Sequence, residues 1–322
     1  IPVRNKVLDV NEIIHDKATY FNSTKDGRGY NLLHLNALYD LESQLFLDAI
    51  IQNGREEHES WALVELVDRS ELTEPVILIA DRGYEAYNNI AHIEQKGWNY
   101  LIRVKEKHGI LSGLNLPDTP EFDACFSYSL SKRLTNRIRK EPQKYRWLPS
   151  KVQFDYIRDA SDDLYPLSFR VVRFLVKEDL YETVITNLPE ASFPPSLLCM
   201  LYHKRWGIET AFCDLKCPLA LTHFHAKKRS FIMQEIFSRM TLYNFASLLR
   251  LHTRFVQPKG KYFYRVNVAF AAHIAREFLL GFVPAVNVEA LIASLLLPVR
   301  PDQHKPRNMR AKHPACFQYR MI

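Results

Sequence analysis

No run of apolar residues in this 322-residue chain is long and clean enough to cross a bilayer. The longest, SFIMQEIFSRMTLYNFASLL, is interrupted by Glu235, Arg239 and Asn244, so no membrane helix is expected. Cysteine is scarce. Cys125, Cys199, Cys213, Cys217 and Cys316 are odd in number, scattered, and unaccompanied by a secretory signal, which argues against a disulfide framework and fits a reducing cytosol. Cys213 and Cys217 lie four apart and could share a metal with His203 or His223, but without a second clustered pair they read as packing. Internal repeats and low-complexity tracts are missing. A hydrophobic share of 47% and a charged share of 25% place the chain among globular proteins. Acid is in deficit: 43 Lys and Arg against 36 Asp and Glu leave a net charge of +7. That balance suits a polyanionic partner. The length allows one large domain or two.

Residues 30–39 and 45–52 are β-prone runs separated by a polar turn around Asp40, and they read as a hairpin. Residues 57–69 carry Trp61, Leu63, Leu66 and Val67 at helical spacing. A strand at 76–80 ends abruptly at Asp81-Arg82-Gly83-Tyr84, a helix is expected over 85–96, and another strand over 98–104. This alternation implies an α/β sheet with helical layers. From 108 to 190 strand-like segments at 152–158, 168–177 and 180–187 follow with no long helix between them, which reads as a β-rich insertion. Helical patterns resume near Pro194-Pro195 and continue at 230–254, 265–281 and 287–297. The expected organisation is therefore a first core part at 1–107, the insertion at 108–190, a second core part with C-terminal helices at 191–298, and a basic tail at 299–322.

The run YHKRWGIETAFCDLK holds the most informative pattern. At about 100° per residue of one α-helix, Tyr202, Arg205, Glu209 and Lys216 project within a sector of roughly 60°. Leu201, Ile208, Phe212 and Leu215 form an apolar stripe beside them. Arg205 and Glu209, four apart, would also make an ordinary surface ion pair. A carboxylate can hold a hard divalent cation, whereas Arg, Lys and a Tyr hydroxyl can hold phosphate oxygens. Four such groups beside the core stripe suit metal-assisted chemistry on a nucleic-acid backbone. The natural partner of Glu209 is Asp81, a carboxylate at the C-terminal end of an apolar strand, with Gly83 letting the chain turn after it. Asp81 would equally serve as a helix cap. Phosphodiester chemistry often employs two cations held by carboxylates, and Mg²⁺ needs only one or two of these from the protein.

ADRGYEAYN, HLNALYD and the spacing Tyr-x₂-Arg-x₃-Glu-x₆-Lys resemble the DDE transposases of bacterial insertion sequences, specifically the insertion-sequence-four branch with its Tyr-Arg-Glu-Lys signature. The resemblance runs from near residue 20 to the basic tail. It implies an RNase H-like catalytic core with a β-strand insertion between the second Asp and the Glu. It also implies cleavage of transposon ends and strand transfer into target DNA with two Mg²⁺ or Mn²⁺ ions. Asp81 would be the second acidic residue of the triad and Glu209 the third, both as catalytic residues and metal ligands. Tyr202, Arg205 and Lys216 would contact DNA phosphates, with Arg103 and Lys105 as further DNA contacts. The implied partner is double-stranded DNA, with a homodimer on it, in the bacterial cytoplasm at the nucleoid.

The first Asp of the triad belongs in this family to an Asp-Gly-Ser or Asp-Gly-Thr segment, and none occurs between Ile1 and Tyr30. The expectation is an N-terminally shortened chain without that residue and without the first strand. Asp9, Asp40 and Asp48 are candidates for a substitute, and none of them is assigned. The segment 132–147 carries seven positive groups against Glu141, with Tyr145 and Trp147 available to stack on an unpaired base. Trp147 is the DNA contact expected there. The tail from Arg300 to Arg320 is similarly basic, with Phe317 and Tyr319. Two rival functions remain: a DNA-binding remnant or inhibitor without catalysis, and a metal-dependent nuclease without a joining step.

Overall fold

The structure, a computed structural model, describes residues 1–3, 20–21, 30–56, 58–106, 109–226 and 228–299. Along the chain run β1 (Pro2–Val3), β2 (Tyr20–Phe21), β3 (Tyr30–Asp40), β4 (Leu45–Asn53), α1 (Glu59–Asp68), β5 (Ile77–Ala80), α2 (Tyr87–Gln95) and β6 (Asn99–Arg103). There follow β7 (Phe122–Ser131), α3 (Asn136–Lys140), β8 (Tyr145–Trp147), β9 (Leu164–Lys177), β10 (Leu180–Thr186), α4 (Pro195–Lys204) and α5 (Trp206–Lys216). The last elements are α6 (Arg229–His252), β11 (Phe263–Val266), α7 (Val268–Leu279), α8 (Ala285–Ser294) and β12 (Leu296–Val299). They form two compact units, His58–Arg205 and Ile1–Glu57 with Trp206–Ile322.

The unit His58–Arg205 is built on a mixed sheet in the order β5-β6-β10-β9-β7-β8, with β5/β6 and β7/β8 parallel and the other pairs antiparallel. A parallel β5/β6 pair needs a crossover, and α2 supplies it. Gly97 (φ +78°) ends α2: its N–H bonds Glu94 O at 2.9 Å and the Trp98 N–H bonds Ile93 O at 3.0 Å. This paired closure satisfies the last carbonyls and turns the chain straight into β6. Pro195 occupies the first turn of α4, where its missing N–H costs nothing. Leu198 and Tyr202 of α4 are buried with Leu101, Val172, Phe174, Val184 and Leu188 from the sheet and the segment after it. A mixed sheet accompanied by helices agrees with the α/β expectation.

The other unit centres on the β3/β4 hairpin and helices α5 to α7. Asp40 makes the hairpin turn, its carboxylate accepting the N–H groups of Glu42 and Ser43 at 3.1 Å each, while Gln44 takes the left-handed conformation (φ +57°). Phe46 is the centre of an aromatic group, 4.9 Å from Tyr39, 5.1 Å from Tyr243 and 5.6 Å from Phe212 between ring centroids. Asn244 of α6 brackets the same residue through its backbone, accepting Phe46 N–H at 2.9 Å and donating to Phe46 O at 2.8 Å.

Three expectations need correction. The run 202–216 is not one helix. Arg205 keeps right-handed helical angles, but its N–H bonds Tyr202 O at 3.1 Å, one residue nearer than the α-helical partner, so α4 ends at Lys204 and α5 starts at Trp206. The argument from one 60° sector therefore holds only within each helix. Residues 152–158 are not a strand. Their apolar alternation buries Phe154 and Ile157 from an irregular segment, held by Asp155, whose N–H bonds Asn88 Oδ1 at 2.9 Å. Cys213 and Cys217 are exposed, so core packing is not their role. Strands β7, β8, β11 and β12 were not legible in the sequence pattern.

Candidate active site

Asp81 follows the last residue of β5. The parallel register pairs Ala80 with Ile102, so one further step sets Asp81 abreast of Arg103 at the C-terminal end of both strands. This is where carboxylates in such sheets meet ligands. The Asp81 carboxylate also caps the single helical turn Arg82–Tyr84, with Oδ1 accepting the Arg82 N–H at 2.8 Å. The cap reading of Asp81 is thus realised, and it engages Oδ1.

Tyr202 reaches the same carboxylate from α4. Its hydroxyl lies 3.5 Å from Asp81 Oδ1, the outer limit of a hydrogen bond, although the side chain is only 2% exposed. Burial first, then the charges of Asp81 and Glu182, push the phenol up to about 12, against the opposing pull of Arg205 and Arg103. The phenol is thus a neutral donor over the physiological range. The Arg205 guanidinium stands over the Tyr202 ring, 5.5 Å from its centroid. Arg103 pairs with Glu182 of β10 at 3.2 Å. Asp81, Tyr202, Arg205, Arg103 and Glu182 thus form one electrostatic neighbourhood within one unit. Tyr84, whose phenol burial, Glu59 and Asp81 push up to about 12, borders it.

Lys105, exposed just past β6, offers its N–H to Glu85 Oε2 at 2.9 Å. Trp147 ends the edge strand β8, is 41% exposed, and points its Nε1 at Lys132 O at 3.4 Å. Around it, Arg137 and Lys144 pair with Glu141, and Arg133 with Asp162. Glu209 and Lys216 stand on α5, in the first and last turn, half-buried and exposed respectively. The chain crosses from one unit to the other between Arg205 and Trp206, so the Tyr-Arg-Glu-Lys spacing is divided two and two.

Of the substitutes weighed for a first acidic residue, Asp9 and the tail from Arg300 lie outside the described residues. Asp40 is engaged by its own turn. Burial pushes its carboxyl up, but the Ser43 hydroxyl and the N–H groups of Glu42 and Ser43 outweigh this and hold it below its ordinary value. Asp48 Oδ1 accepts the Ala49 N–H at 2.7 Å. Sequence reasoning missed Glu85 and Glu182. Their strand and turn positions could have been found, but their partners at 105, 110 and 103 are distant in sequence.

A hard carboxylate at a strand end fits a divalent cation, whose remaining ligands can be waters and substrate oxygens. Among the described residues no three of His, Cys, Asp and Glu gather at metal-binding spacing. None of the described helices is long and apolar enough to cross a membrane. A search of curated proteins finds no match. The model of the transposase DDE domain matches residues 8–245, nearly three quarters of the chain and every residue of the Asp81 neighbourhood, and the protein belongs to that family.

Proposed function

We propose that this protein cuts DNA at the ends of an insertion sequence and joins them to target DNA, as a member of the insertion-sequence-four branch with an RNase H-like core and an insertion at 108–190. The observation that supports this most is the meeting of Tyr202 with Asp81 in a chain of the DDE family, because two motifs 121 residues apart converge on one carboxylate. In this reading Asp81 and Glu209 hold Mg²⁺ or Mn²⁺, and such a cation, when bound, supplies Lewis acidity toward water and phosphate oxygens. Tyr202, expected from the sequence as a phosphate contact, is only 2% exposed and in this reading acts instead through Asp81, whose carboxylate its hydroxyl faces. Arg205 and Lys216 bind phosphate oxygens and offset charge as the phosphodiester reacts. Arg103, Lys105 and Trp147 extend the contact along the DNA. The protein works as a homodimer on DNA at the bacterial nucleoid.

Incubating the protein with an insertion-sequence end duplex and Mg²⁺ tests this reading. Nicked ends and joined products are expected. Binding without cuts indicates a non-catalytic DNA-binding protein, and cuts without joints indicate a nuclease. Arg205→Ala should weaken end binding and reduce its salt dependence by about one counterion. An unchanged slope removes Arg205 from the phosphate contacts.

A further inference from the structure

Glu85 is the fourth residue after Asp81 and follows directly on the turn Arg82–Tyr84. A glutamate there would ordinarily extend into water. Here it is half-buried, and both of its carboxylate oxygens are taken by backbone donors far along the chain. Oε2 accepts the Lys105 N–H at 2.9 Å and Oε1 accepts the Ile110 N–H at 2.7 Å. Its own N–H returns to Arg82 O at 3.5 Å. One side chain therefore joins the turn bearing Asp81 to the stretch that leaves β6.

Gly109 shows how closely this joint is fitted. It has φ +76°, and a Cβ at this position would lie 2.1 Å from Glu85 Oε1 and 2.7 Å from its Cδ. The backbone angle favours glycine here, and any Cβ would make the Glu85 carboxylate shift. Burial pushes the Glu85 carboxyl up, opposed by the two N–H bonds and by the Lys105 ammonium. The same ammonium that would meet a phosphate thus also feels Glu85.

We propose that Glu85 is a positioning residue for DNA binding: by clamping the N–H groups of Lys105 and Ile110 it fixes, relative to the Asp81 turn, the backbone from which the Lys105 side chain extends. The inference rests on the reading of Lys105 as a phosphate contact. A loop fastener with no bearing on DNA would make the same hydrogen bonds, so the test must read the charge of Lys105.

The experiment is a double-mutant cycle on the full chain, with a random-sequence DNA duplex as probe and the salt dependence of binding as readout. Lys105→Ala should lower the slope of log K against log salt by about 0.9. Glu85→Ala should lower it in the same direction, and the double variant should bind no more weakly than Lys105→Ala alone, because Glu85 acts through Lys105. Gly109→Ala should reproduce Glu85→Ala by pushing the carboxylate away. Without DNA, Glu85→Ala should speed amide exchange at Lys105 and Ile110 by roughly tenfold or more, as loss of hydrogen bonds to a charged acceptor predicts. Independent, additive effects of Glu85→Ala and Lys105→Ala overturn the proposal and leave Lys105 a DNA contact. An undiminished slope in Lys105→Ala instead removes Lys105 from the DNA contacts, and the positioning role falls with it. Unchanged exchange at both amides refutes the clamp itself.

Discussion

Both compact units have an apolar core, and they differ in the most conspicuous joint that each adds to it. In His58–Arg205 these joints are polar groups. Arg170, 5% exposed, forks onto both oxygens of Asp123 and also donates to Leu188 O at 2.7 Å and Phe193 O at 3.2 Å. His92 sits between Asp68 (2.9 Å) and Asp155 (3.0 Å). In the unit containing α5 to α8 the centre is instead a group of touching rings around Phe46. Polar joints are directional and fail when one partner changes chemistry. Apolar contact depends on volume and tolerates a change of shape. The proposed ligands Asp81 and Glu209 belong to different units.

The largest expected effect tests whether both units serve one reaction. Asp81→Asn and Glu209→Gln should each lower cleavage by about a thousandfold or more, the scale of several kcal/mol of lost charge stabilisation, while leaving DNA affinity near its starting value. A variant that cuts normally in an end-cleavage assay would confine the chemistry to one unit.

Next come the joints themselves. Asp123→Ala leaves the Arg170 guanidinium buried without its counter-charge and should cost about 3–5 kcal/mol in denaturant unfolding. Phe46→Leu, which keeps part of the volume but removes the ring contacts, should cost about 1–2 kcal/mol. Reversed sensitivities would erase the distinction between the units.

Acid should act on both units, at Asp40 in one and at Asp155 in the other. Burial pushes the Asp155 carboxyl up, but bonds from Asn88, Gln153 and His92 outweigh this and hold it below the ordinary 3.8. Its contribution is therefore present above 3.8 and is lost as pH falls through the lowered folded value. Amide exchange near residue 155 should rise in that window, and Asp155→Asn should remove the dependence. The smallest effect is one in which the units ought to agree. Thr135 and Asn267 cap α3 and α7, accepting N–H groups at 3.3 Å and 3.2 Å, and replacing either with Ala should cost about 1 kcal/mol.

The hairpin, α1, β5, α2 and β6 were legible because period-2 and period-3.6 patterns met strong punctuation at Asp40, Asp81 and Gly83. Strand β7 was not, since in FDACFSYSLS serine and cysteine dilute the alternation. Strand β8 hid within a charge run, and its three residues gain order from pairing with β7. The signature residues were found by spacing alone. The interruption at Arg205 escaped notice because a single tightened bond leaves no mark on side-chain periodicity. The Tyr202–Asp81 approach and the Glu85 clamp depend on sheet order, and no local pattern encodes that.

Among the described residues β3 is the one strand paired with β4, whose other rim meets a side chain instead. The Asn244 side chain occupies that rim at Phe46, imitating a peptide group with its own donor and acceptor. A single amide on a helix thereby stands in for a neighbouring strand at one residue of β4, and Asn244→Leu, which leaves the Phe46 N–H and C=O without these bonds, should cost about 1–3 kcal/mol in denaturant unfolding.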